Sequence, residues 1–289
     1  MEEFNRPIFG LIPRLAFEEA KSLAAGLPGE EGQINRCLLP LEGEKALLLC
    51  QREGEKRVMA RFGLRKGEEY AFRKPFPVDF GASYQNPRLA LRPGGDALLC
   101  GELVSEEKGM SFPALPRAIG LRRDGGLFLR PVPEMGRLRG KRLFLKRDFS
   151  LHEGENPLKG IEGRHLGAVI RFEAGASALN FECLRGENGQ KAALRFDGAT
   201  EGLSLDCSMA GGLGPQGGVV LGQGINELRL YLDGPAIEVF FNGGDCLSAL
   251  AFPTDADGAG LRLFAEGGLR VHQAEVFEIE ASECCFAAP

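Results

Sequence analysis

Between residues 226 and 233 the chain alternates with a period of two: Leu228, Leu230 and Leu232 point one way, Glu227, Arg229, Tyr231 and Asp233 the other. That is the pattern of a strand with one face in a core. A second alternating run, Ile237, Val239 and Phe241, breaks at Asn242-Gly243-Gly244-Asp245, and a further extended run ends at Phe252-Pro253. The composition predicts a β-hairpin with an acidic residue, Glu238, in its first arm. Short runs of this kind recur between glycine and proline turns, among them CLLPL, KALLLC, RVMARFGL, DALLCGEL, GAVIRFEA, LNFECL and LRLFAE. Roughly seventeen such runs predict an all-β architecture, whether sandwich, barrel or propeller. One segment departs from it. In PRLAFEEAKSLAA (13–25), Leu15, Ala16, Ala20 and Leu23 follow helical spacing and Gly26 follows as a stop, which predicts a short N-terminal helix.

The texture changes near residue 137. PVPEMGRLRGKRLFLKR (131–147) is basic and punctuated by proline, and beyond it the alternation is cleaner. We therefore expect one β unit over 1–137, a crossing segment over 138–147 and an antiparallel β-sandwich over 148–289, close to the common domain size. Forty-one glycines, seventeen prolines and no tryptophan suit many tight turns. With 35 basic and 40 acidic residues the net charge is −5, which argues against a nucleic-acid partner. No apolar stretch approaches the length of a membrane span, and MEEFNRPIFG lacks the basic and apolar regions of a signal peptide, so the expectation is a cytoplasmic protein. The eight cysteines form no C-x-x-C pair and mostly sit in apolar runs, as buried free thiols do. His152, His165 and His272 are scattered, so neither a metal site nor a cofactor is expected.

Three stretches resemble the β-fructosidases of glycoside hydrolase family 32, the invertases, levanases and sucrose-6-phosphate hydrolases. GINELRLYLDGPAIEVFFNGGDCLSALAFPT (224–254), followed by GLRLFAEGGLRVHQAEVFEI, is similar to the family's C-terminal sandwich, with Asp233, Glu238, Phe240, Asn242-Gly243 and Phe252-Pro253 in signature places. LPRAIGLRRDGGLFLRPVPEMGRLRG (115–140) looks like the segment that closes the family's five-bladed propeller, and VDFGASYQNPRLALRPGGDALLCGEL (78–103) resembles its D-x-G-x-D-F-Y-A-P-Q stretch. The resemblance implies a partial, truncated five-bladed-type β-propeller followed by the sandwich, with the first blades outside this chain. It also implies that Glu238 is a carboxylate on the surface of a structural sheet.

Family members cleave β-fructosides with retention, using an Asp nucleophile in N-D-P, a stabilising Asp in R-D-P and a Glu acid in E-C-P. No Asp-Pro dipeptide occurs here. INRCLLPLEGEKALLLC (34–50) resembles the E-C-P-D-L-F-P-L segment, and aligning it on Pro40-Leu41 puts Ile34 where the acid belongs. Isoleucine cannot transfer a proton. No catalytic residue is therefore assigned. Glu31, beside Glu30, is the candidate for a relocated acid, while Glu182 of the E-C dipeptide falls in the sandwich. Tyr84, Gln85, Arg88 and Glu102, at positions that resemble the family's sugar-contacting stretch, are the candidate sugar-binding residues.

The reading is a non-catalytic relative of β-fructosidases with a carbohydrate-related binding, regulatory or scaffolding role. The alternatives are an active glycosidase with moved or partner-supplied carboxylates, and a protein-interaction module with no sugar role. A fructoside or another carbohydrate is the expected ligand. A homodimer covering the open propeller is the expected assembly, since an incomplete ring exposes sheet edges.

Overall fold

Alternation along the chain is realised as four antiparallel sheets in the computed structural model, which describes residues 21–22, 33–67, 69–92, 97–122, 126–255 and 258–280. The strands of the N-terminal half are β1 (Lys21–Ser22), β2 (Gln33–Pro40), β3 (Lys45–Arg52), β4 (Val58–Lys66), β5 (Glu69–Phe72), β6 (Phe76–Pro77), β7 (Tyr84–Leu91), β8 (Ala97–Ser105), β9 (Met110–Pro113), β10 (Arg117–Leu121) and β11 (Leu127–Pro131). They make two meandering sheets, β2-β3-β4-β5 with β6 on β4, and β1-β7-β8-β10-β11 with β9 on β8. Each runs outward from its first long strand, as propeller blades do.

A 3-10 turn, Pro133–Leu138, leads into the sandwich strands β12 (Arg139–Leu151), β13 (His165–Glu173), β14 (Ala178–Arg185), β15 (Ala192–Asp197), β16 (Gly202–Asp206), β17 (Gln216–Val219), β18 (Asn226–Asp233), β19 (Ala236–Phe241), β20 (Asp245–Leu250), β21 (Gly260–Glu266) and β22 (Leu269–Ile279). Sheet β12-β22-β13-β18-β19-β20 faces sheet β17-β16-β15-β14-β21. Between them Leu228, Leu230, Leu232, Ile237, Val239 and Phe241 meet Phe172, Phe181 and Phe196. The Phe196 and Phe241 rings stack at 4.8 Å.

Three expectations change here. The helix over 13–25 falls largely outside the described residues, and at Lys21–Ser22 the chain is instead a strand paired with Leu91 and Ala90 of β7, where a partner edge outweighs local propensity. Residues 139–147, expected in the crossing segment, are strand paired with β22, and the chain turns just before them. Glu238 is not a surface carboxylate: it is 0% exposed. The cause is general to that side of the sheet. Tyr231, Phe240, Cys246, Leu250 and Phe277 form one apolar cluster with Tyr84, Leu99, Leu103 and Leu115 of the N-terminal half, so β19 and β20 are buried on both faces, while β12 at the far edge stays largely exposed.

Candidate functional site

The first long strands of the two N-terminal sheets, β2 and β7, carry the same irregularity. Pairing with β3 slips between Ile34 and Cys37, and pairing with β8 slips between Gln85 and Arg88, so two residues oppose one in each case. Bulges of this kind re-aim side chains. Asn35 and Asn86 hold left-handed backbone there, at φ 49° and 52°. Asparagine enters that region more readily than other side chains. The two bulges dock: Asn35 Nδ2 donates to Asn86 Oδ1 at 2.9 Å, and the Cys37 thiol lies 3.2 Å from the Pro87 carbonyl. Opposite the second bulge is Gly101, where a Cβ would come within 2.6 Å of the Tyr84 ring and 2.8 Å of the Gln85 carbonyl oxygen.

A polar network grows from these bulges. Gln51 on β3 donates through Nε2 to Gln85 Oε1 at 3.2 Å, and its Oε1 accepts the Asn86 N–H at 3.3 Å. Asn86 Nδ2 donates to Glu102 Oε2 at 2.9 Å, and Ser111 Oγ donates to the same oxygen at 3.1 Å. Arg88 Nη2 stands 4.0 Å from Glu102 Oε1. Side chains from β2, β3, β7, β8 and β9 thus converge, with Ile34, 40% exposed, at their border. Amides and a carboxylate in this arrangement offer alternating donors and acceptors, which suits the recognition of hydroxyls.

Three of the four residues proposed for sugar contact are brought together: Gln85, Arg88 and Glu102. Gln85 is buried and committed to Gln51, whereas Arg88 and Glu102 reach solvent. Tyr84 is a correction. It is 0% exposed, the Arg117 guanidinium covers its ring at 4.1 Å, and no ligand reaches it. A cavity of about 70 Å³ beside Gln85 is far below the ~300 Å³ at which ligand pockets begin, so the network works at an open surface. Glu31 and Glu30 lie outside the described residues. Glu182 is held by Lys191 at 2.5 Å and Arg185 at 3.0 Å on the sandwich. Sequence reasoning missed Asn35, Gln51 and Asn86 as site residues. The signal that finds them is an internal repeat: at the 51-residue offset between Asn35 and Asn86, Leu38 matches Leu89, and Ala46-Leu47-Leu48 matches Ala97-Leu98-Leu99.

Behind the network, the two halves are joined by a fully enclosed charge cluster. Arg117 Nη2 donates to Glu238 Oε2 at 3.0 Å and to Ser248 Oγ at 2.8 Å, and it stands 2.8 Å from Asp79 Oδ2. Glu238 Oε1 also accepts the Leu115 N–H at 2.5 Å. Asp79 takes the Ser248 hydroxyl at 2.7 Å and the Gly81 and Ser248 N–H groups, both at 2.8 Å. Burial, reinforced by the Asp79 charge, pushes the Glu238 carboxyl up to about 7 against the pull of Arg117. Burial likewise raises the Cys100 thiol to about 12 and the Cys37 thiol above its usual value, which keeps both unreactive. Six cysteines are free and buried, as expected; Cys284 and Cys285 lie outside the described residues.

Residues 137–283 match the profile described as Glycosyl hydrolases family 32 C terminal. The chain belongs to glycosyl hydrolase family 32. No curated protein matches the sequence significantly. Among solved structures, the chain is similar to an exo-inulinase from Aspergillus awamori (TM-score 0.72, 18% identity, 85% of this chain and 56% of that one). It is similar also to sucrose-6-phosphate hydrolase from Lactobacillus gasseri (0.71, 13%, 88% and 57%). A third is fructan 1-exohydrolase IIa from Cichorium intybus in complex with 1-kestose (0.67, 16%, 85% and 61%). The chain thus spans less than two thirds of the length of each. At these identities the likeness establishes the fold: a propeller-like N-terminal part and a β-sandwich.

Proposed function

We propose that this chain holds a fructoside-type carbohydrate at the bulged inner strands of its two N-terminal sheets and does not cleave it. The observation that carries the reading is the exchange at one place. Where the family's general acid is expected stands the partly exposed Ile34, and beside it is an amide-rich network in which Glu102 is the one carboxylate among the described residues. Retaining hydrolysis needs two carboxyl groups about 5–5.5 Å apart, one to attack and one to move the proton. Glu102 can accept a hydroxyl hydrogen bond; alone it cannot do both tasks.

Incubating the full chain with sucrose, sucrose 6-phosphate and inulin tests this. The expected result is no release of fructose, together with a rise in Tm, because a ligand selective for the native state stabilises it. Turnover that Glu31→Gln or Glu102→Gln abolishes would establish a relocated acid and overturn the proposal. An unchanged Tm with every sugar would favour a protein-interaction role. The proposal includes a second copy of the chain over the open propeller. Light scattering on a sizing column checks that part, with a clean monomer counting against it.

A further inference from the structure

A cleft lies away from that network, between the second N-terminal sheet and the outer rim of the sandwich. It encloses about 570 Å³, within the ~300–1,000 Å³ range of small-molecule sites. Phe128 and the exposed Ile225 are its accessible apolar lining, and Arg92, Arg130 and Arg229 line it as well. These arginines come from different elements: the end of β7, β11 and β18.

The charges around the cleft do not cancel. Arg229 Nε donates to Glu227 Oε1 at 2.7 Å, and Arg171 Nε donates to the other oxygen, also at 2.7 Å. Against the cost of burial, these two hydrogen bonds hold the Glu227 carboxyl below its usual range, so it stays ionised. Arg92 Nη2 stands 2.8 Å from Glu134 Oε1, a charge contact without hydrogen-bond geometry that leaves this buried N–H group unbonded. Arg130 is exposed, with its guanidinium 4.8 Å over the Phe128 ring and no ion-pair partner among the described residues. Of the charged residues that line the cleft, three are arginines, Arg92, Arg130 and Arg229, and one is a carboxylate, Glu227, in a chain whose net charge is −5.

We propose that this cleft binds a small phosphomonoester, its phosphate on Arg130 and Arg92 and its organic body against Phe128 and Ile225. Guanidinium forks match phosphate oxygens bidentately, and an apolar lining favours a ligand with a body over a bare ion. The site is independent of the sugar network, because no residue is shared.

Calorimetric titration of the full chain tests it, with fructose 6-phosphate, inorganic phosphate and fructose as probes. Fructose 6-phosphate should bind, and raising the salt should weaken it. Arg130→Gln, at an exposed position that folding does not depend on, should weaken it about tenfold, the scale of one charge-assisted contact. Inorganic phosphate should bind more weakly than the sugar phosphate. Absence of binding by fructose 6-phosphate, binding that Arg130→Gln leaves unchanged, or equal affinity for inorganic phosphate would each overturn the proposal. Any response to fructose that survives Arg130→Gln reports on the bulge network instead, so the two sites are separated in one experiment.

Discussion

Arg117 keeps its charge where no water reaches it, because Asp79, Glu238 and Ser248 receive its Nη2 and the Tyr84 ring lies beneath it. Removing one member of a buried ion cluster strands the others, at a cost of about 3–5 kcal/mol. Arg117→Ala should therefore lower the unfolding free energy read from urea titration by that amount, and since the cluster joins the two halves, it should also separate their unfolding transitions. The pH response follows from Glu238. Its folded value of about 7 lies above the ordinary carboxylate value of 4.5, so the native state holds the proton more tightly than the unfolded chain. That contribution is fully present below the unfolded value and is lost as pH rises through about 7. Tm of the wild type should fall between about pH 4.5 and 7.5 and then level off, and Glu238→Gln should flatten the fall. Arg117, Asp79, Tyr84 and Cys246 are the groups around Glu238 that shape the curve. The alternation of residues 236–241 puts Glu238 opposite the core-facing side chains, and that much was legible. What covers the opposite face depends on contacts more than a hundred residues away, Leu115 and Arg117, which no local pattern encodes.

Elements were legible wherever one face is apolar and a turn follows. The hairpin of β19 and β20 and its Asn242-Gly243 turn stand where the sequence predicts them. Bulges were not, since an extra residue in a strand looks like a lapse in alternation until the partner strand is known. Here the lapse is itself repeated, at Asn35 and at Asn86. The backbone at Asn86, φ 52°, is strained for a β-branched residue and free for glycine. Asn86→Val should destabilise the chain by about 1–3 kcal/mol more than Asn86→Gly does, as read from denaturant midpoints. Gly101→Ala should cost about 1–3 kcal/mol, because its methyl has the Tyr84 ring and a carbonyl to displace. Both Asn86 variants lose the hydrogen bond to Glu102, so both should lose the sugar-induced rise in Tm. A scaffold-only role for the network would leave that rise unchanged in the glycine variant.

At the scale of the molecule, one apolar cluster runs through both N-terminal sheets and the outer face of the sandwich, beneath the bulged strands. The family was legible in three motifs, Asp79 to Gly81 and Arg117 among them. The structure gives these residues a physical role as the buried joint between the halves. Ile34 stands where the resemblance places the family's acid, and the amide network beside it was not legible, because such networks depend on which strands meet. The central claim is that this chain retains a grip on a fructoside without the means to break it. Saturation-transfer NMR on the full chain mixed with 1-kestose reads both halves of that claim at once. The account predicts transfer of magnetisation to the sugar protons, with the anomeric signals intact throughout the incubation. Appearance of free fructose, or no transfer at all, would contradict it.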